Sequence, residues 1–97
     1  MTVQEFKFLF GHNLKYFRVK KGWTQLRLAI EIGIERSVIS GYETGRAIPL
    51  ISTLLIIAMI LKVEPWEFFF KRDEQCYINV FGKKQTYYYK KRVGKFI

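Results

Sequence analysis

The chain has 97 residues, enough for one domain with a modest core, and 49% of them are hydrophobic. Seventeen Lys and Arg against 8 Asp and Glu give a net charge of +9, which favours a polyanionic partner, either nucleic acid or an anionic membrane surface. A single cysteine, Cys76, and a single histidine, His12, exclude an intramolecular disulfide and a Cys/His zinc cluster, and they fit a reduced, cytoplasmic setting.

From the N-terminus, Val3, Phe6, Phe10, Leu14 and Phe17 recur at intervals of three or four, the stripe of one amphipathic helix. Thr2 stands where a cap would open that helix, and Gly22 follows its basic last turn as a stop. Gly11 inside it costs about 1 kcal/mol relative to Ala, for which close packing is the one available reason. The opening stretch lacks the basic region and apolar run of a signal peptide.

Thr24 is a suitable N-cap for a second helix over 25–32, with Leu28, Ala29 and Ile32 inward. Gly33 breaks it and can take a positive φ at no steric cost. A third helix runs over about 35–43, with Ile39 and Tyr42 inward, and ends at Gly45. Residues 46–49 form a loop. The apolar run LISTLLIIAMIL, residues 50–61, is too short to span a bilayer and reads as a buried fourth helix. Pro65 opens a fifth, rich in aromatics at Trp66, Phe68, Phe69 and Phe70.

After residue 72 the pattern changes. CYINVF and QTYYYKK flank a glycine-containing turn and predict a β-hairpin. The division is therefore a domain over residues 1–72 and a basic, aromatic extension over 73–97. Charge follows it unevenly: residues 1–34 carry +4, residues 35–75 carry −1 and residues 76–97 carry +6. The middle segment is expected to hold core or interface, and the flanks the anion-facing surface.

The two eight-residue patterns around Gly33 carry the functional signal. Helices that short do not persist alone in water, so they must share a core. The outer face of the second is then left with Glu35, Arg36, Ser37, Ser40 and Gly41, whose side chains are mostly short and polar, or absent at Gly41. A slim, rigid helix of that kind fits the DNA major groove, about 12 Å wide. No phosphate loop, nucleophile motif or paired carboxylate suggests an enzyme, and no cofactor is expected.

The run from Leu14 to Phe69 resembles the lambda-repressor-like, or Cro/C1-type (XRE-family), helix-turn-helix domain. The matching residues are Thr24-Gln25, Leu28-Ala29, Gly33, Ile39-Ser40, Glu43, Gly45 and Pro49, followed by the LLIIAMIL helix. The resemblance implies a mainly α, five-helix fold. It implies DNA-backbone contact at Gln25 and base reading from Arg36 and Ser37, with Gly41 at a third reading position where, lacking a side chain, it bonds no base but lets the helix sit closer; Thr24 and Ser40 belong to the same DNA-binding set. Thr44 and Arg46 fall where the family touches phosphate, and Arg18 with Glu43 matches a structural ion pair. Glu35 departs from the Ser, Thr or Asp usual at its cap position. A carboxylate suits a helix N-terminus but not a phosphate, unless it accepts from cytosine N4. Arg36 can read guanine, or instead clamp phosphate.

The resemblance implies a sequence-specific regulator of transcription, in the first place a repressor, located in the cytoplasm on the nucleoid. One short recognition helix reads few base pairs. A homodimer on a palindromic operator is expected, joined through the surplus apolar surface of the last two helices, with Trp66, Phe69 and Phe70 as the candidate interface. Two alternatives share the fold: an antitoxin that binds a toxin and regulates itself, and a restriction–modification controller. The extension is open to three readings, namely dimerisation, packing on its own domain, and contact with nucleic acid.

Overall fold

The computed structural model describes residues 2–71, and the expected hairpin and extension lie outside them. Four α-helices follow in order: α1, Val3–Lys20; α2, Gln25–Ile32; α3, Arg36–Glu43; and α4, Ile51–Leu61. The expected fifth helix is a 3-10 helix, Pro65–Phe69. Five residues are too few for α-helical bonding to repeat, and its end is held from outside the segment. The Asn13 amide donates to the carbonyls of Phe68 at 2.6 Å and Phe70 at 2.9 Å.

Local chemistry sets the helix boundaries. Thr2 and Glu5 form a reciprocal capping box on α1, with Oγ1 of Thr2 accepting from the Glu5 amide at 3.0 Å. Thr24 caps α2 by accepting from the Arg27 amide at 3.0 Å. Glu35 at the head of α3 makes no side-chain cap bond. All four helices end in the same way, with one left-handed residue followed by an amide that reaches back to the carbonyl five residues earlier. Gly22, Gly33 and Gly45 fill that position in the first three. Lys62 fills it after α4, at φ 59°, where an L-residue crowds its own carbonyl.

The core forms where α1 packs on α3 and the 3-10 helix, with α2 set against α3 and α4. Phe10, Leu14, Leu28, Ile39, Ile57 and Phe68 are fully buried. Phe68 is packed against Phe10 and Phe17, with ring centroids 5.3 Å and 5.8 Å away. The predicted stripe of α1 is buried only from Phe10 onward. Val3 and Phe6, in the first turns, remain on the surface.

The expectation of a buried fourth helix is corrected. Leu54, Ile57, Ala58 and Leu61 face the core, whereas Ile51, Leu55, Ile56 and Met59 are exposed. Among the described residues, a helix on the rim of so small a domain finds neighbours on one side only, so its remaining apolar residues face outward.

Candidate nucleic-acid interface

The outward face of α3 rests on a buried charge. Arg18 of α1 and Glu43, the last residue of α3, meet in a two-pronged contact. Nε of Arg18 stands 2.6 Å from Oε2 and Nη2 3.0 Å from Oε1. The two side chains are 9% and 2% exposed, so water screens them little. The third prong, Nη1, donates to the Trp23 carbonyl at 2.6 Å. One guanidinium thus ties α1, the turn before α2 and the end of α3 together, and its parallel bonds offset the cost of desolvation.

From Glu43 the network runs to the surface. Nε2 of Gln25 donates to Oε1 of Glu43 at 3.0 Å, and Oε1 of Gln25 accepts from Nη1 of Arg36 at 3.1 Å. The carboxylate on one side and the guanidinium on the other fix the amide of Gln25, since the flipped orientation would oppose like groups. Arg36 therefore stands exposed at the first position of α3 with one donor engaged. A guanidinium has five, so a planar acceptor can still be met by the others.

The rest of the predicted set divides by contact. Thr24, Glu35 and Ser37 are exposed and Ser40 is half-buried. The main chain of Gly41 is covered, its carbonyl accepting from the amides of Arg46 at 3.0 Å and Ala47 at 3.3 Å. A Cβ on Gly41 would nevertheless meet nothing within 4 Å. The Thr44 hydroxyl donates back to the Ser40 carbonyl at 2.9 Å, so it must rotate before it can donate to a phosphate. Arg46 is exposed on the loop that follows.

The helix that carries this face is anchored by residues that sequence reasoning left without a partner. Gln4 donates from Nε2 to the Gly45 carbonyl at 2.8 Å. A Cβ on Gly11 would fall 2.2 Å from the Tyr42 carbonyl oxygen, so two backbones touch there. Gln4, Gly11 and Arg18 recur every seven residues, close to two helical turns, and all three meet the end of α3. That interval of polar and small residues was the available signal. Burial pushes the Tyr42 phenol upward and keeps it neutral against Phe10, whose ring it meets edge-on at 6.2 Å.

A family model described as helix-turn-helix matches residues 14–68, more than half of the chain, and spans Arg18, Gln25, Arg36 and Glu43. The chain belongs to the Cro/C1-type helix-turn-helix family. Among similar proteins of this family is a prophage-derived, uncharacterized HTH-type transcriptional regulator, YonR, of Bacillus subtilis. It is 42% identical over 55 residues, covering 57% of this chain and 51% of its own length, so the chain spans about half of that relative. The restriction–modification controller protein C.AhdI of Aeromonas hydrophila superposes with a TM-score of 0.62 at 35% identity, over 65% of this chain and 96% of that one. A hypothetical transcription factor of Neisseria, NHTF, superposes with a TM-score of 0.67 at 27% identity, over 80% and 90%. The fold and the family of transcriptional regulators follow from these likenesses together with the helix-turn-helix geometry.

The aromatics expected between two copies of this family member differ in exposure. Trp66 is 48% exposed, Phe69 is half-buried and stacked on Phe6 at 5.0 Å, and Phe70 is buried. More of the exposed apolar surface belongs to α4 than to these three. Among the described residues no helix is long and apolar enough to cross a membrane.

Proposed function

We propose that the protein is a sequence-specific duplex-DNA-binding regulator that reads an operator with α3 and acts as a homodimer, in the first place as a repressor. The observation that carries this reading is Arg36, exposed at the head of α3 and supported through Gln25 by the buried Arg18–Glu43 pair. A guanidinium held in that way has lost side-chain freedom before it meets a base edge, so bidentate bonding to guanine O6 and N7 costs less entropy. Thr24, Gln25, Thr44 and Arg46 are assigned to the backbone, with Ser37, Ser40 and Gly41 against the bases.

The exposed side of α4 supports the dimer. Ile51, Leu55, Ile56 and Met59 stand out from one helix, and a contiguous apolar face of that kind on a small domain marks an interface. A second copy would bring a second α3 to the next half-site, about 34–36 Å along the duplex. Repression would follow from occupying a promoter-proximal operator.

Selection of bound duplexes from a random library tests the reading. The expected result is a palindrome of two half-sites one helical turn apart. Enrichment of no sequence, with uniform affinity for all duplexes, would defeat it. A second reading, a restriction–modification controller, is favoured by the likeness to C.AhdI, of which this chain covers nearly the whole. An operator lying beside a restriction endonuclease gene would select it.

A further inference from the structure

The end of α1 and the end of α4 enclose an open cleft of about 320 Å³. Its floor is apolar: Phe17 and Leu61 belong to the core, and Val63 packs against it. Its rim is cationic, with Lys20 and Lys21 on one side and Lys62 on the other, all exposed. Glu67 is the one acidic residue in the lining, and its carboxylate already accepts from the Glu64 amide at 3.0 Å. The cleft therefore keeps an excess of positive charge above a surface that prefers to leave water. None of the residues assigned above to DNA or to the contact between two copies lines it.

Lys62 sets this cleft apart. Its backbone is left-handed at φ 59°, a conformation that glycine adopts at the ends of the first three helices. A side chain kept at a strained position points to a use for that side chain. Two bonds back into α4 fix it there: the Lys62 amide donates to the Met59 carbonyl at 3.2 Å and the Val63 amide to the Ala58 carbonyl at 3.0 Å. Opposite, Lys20 is held over the Tyr16 ring and Lys21 over the Trp23 ring, 5.6 Å and 5.1 Å from the centroids. Among the described residues no hydrogen bond or ion pair engages the Lys62 ammonium.

The geometry points to this cleft as a binding site for a small amphipathic carboxylate, its head between Lys62 and the two lysines of α1 and its chain on Phe17, Leu61 and Val63. A lysine ammonium is a point charge on a flexible stem, so the rim selects charge rather than the planar shape that an arginine fork would select. Selectivity for an apolar body comes from the floor. At about 30 Å³ for each water-sized group, the volume holds about ten such groups, the bulk of a carboxylate on a medium-length alkyl chain. Inorganic phosphate would meet the charge and leave the floor wet. An alcohol of the same length would cover the floor and leave the cations uncompensated. The site stands independently of the DNA-binding reading.

The experiment follows the backbone amide signals of the full chain by heteronuclear NMR during titration with octanoate, octanol and inorganic phosphate at constant ionic strength. Octanoate is expected to give saturable shifts centred on Lys20, Leu61, Lys62 and Val63, with the other two binding more weakly. Lys62→Met keeps the stem and removes the charge, and should weaken octanoate by about two- to fivefold, the range of one exposed ion pair. Lys62→Arg should retain it. A folded Lys62→Met variant with wild-type affinity overturns the site, as does octanol binding as tightly as octanoate. Phosphate binding as tightly as octanoate overturns the role given to the apolar floor. Shifts centred instead on Ile51, Leu55 and Met59 would mean adsorption to the outer side of α4, and would overturn it as well.

Discussion

Arg18 and Glu43 stand 25 positions apart in sequence and meet in a buried, two-pronged ion pair that joins α1 to the end of α3. Fold and site share this contact, because the same carboxylate holds Gln25 and, through it, Arg36. Removing one partner leaves a charge without compensation in a site nearly closed to water. Glu43→Ala is expected to lower stability by about 3–5 kcal/mol in chemical denaturation. The paired change Arg18→Met with Glu43→Leu should recover most of that loss and still bind DNA poorly, since Gln25 has lost its acceptor. Equal stability in Glu43→Ala and wild type would refute the assignment.

Arg36→Ala is expected to relax preference at one base position and cost about 1–3 kcal/mol on the preferred duplex. Gln25→Ala should produce a smaller loss in the same position, because Arg36 is then free to sample other rotamers. Binding to a panel of single-substituted operators distinguishes these outcomes. An equal loss across the whole panel for Arg36→Ala would make that residue a phosphate clamp.

Two glycines should respond in opposite directions to alanine. At Gly11 the added methyl meets the Tyr42 carbonyl oxygen at 2.2 Å, and α1 and α3 would have to separate. A loss of about 1–3 kcal/mol follows from overpacking of this kind. At Gly41 the methyl meets nothing, and helix propensity alone should raise stability by about 1 kcal/mol. Gly41→Ala should nonetheless weaken DNA binding, since the methyl stands where α3 would approach the bases. Thermal melts and affinity measured on the same samples check both halves.

Met59 is 73% exposed and Leu55 47% exposed on the outer side of α4. Replacing Met59 by Glu removes no core contact, so the protomer should stay folded. If α4 joins two copies, the desolvated carboxylate should split the dimer at micromolar concentration. Sedimentation of wild type and variant side by side gives the answer. A wild-type monomer would remove the premise.

Lys62 occupies a left-handed position that glycine fills in the three other helix ends. Relief of the steric penalty favours Lys62→Gly by about 1–2 kcal/mol, reduced by the extra freedom of glycine in the unfolded chain. A modest rise in melting temperature is expected. A fall would mean that the lysine side chain contributes more by packing than its backbone loses.

Much of the fold was legible because its determinants are local. Thr2, Thr24, Gly33 and Gly45 act within a few residues of themselves, through cap bonds and left-handed turns, so helix boundaries could be read almost to the residue. The positions of Leu28 and Ile39 in the core followed from periodicity. The spacing of Gln25, Gly33, Glu43 and Gly45 carried the family resemblance, and with it the Arg18–Glu43 pair.

What the tertiary structure alone decided are the contacts between segments distant in sequence. Close packing at Gly11 had no named partner until α3 was seen to lie against it, and Gln4 had none until the Gly45 carbonyl was brought to it. The outward face of α4 is of the same kind. A run of apolar residues states how much surface prefers to leave water, and only the arrangement of neighbours determines how much of it can. The 3-10 geometry after Pro65 follows the same logic, since the Asn13 amide, 55 positions before Phe68, fixes where that segment ends.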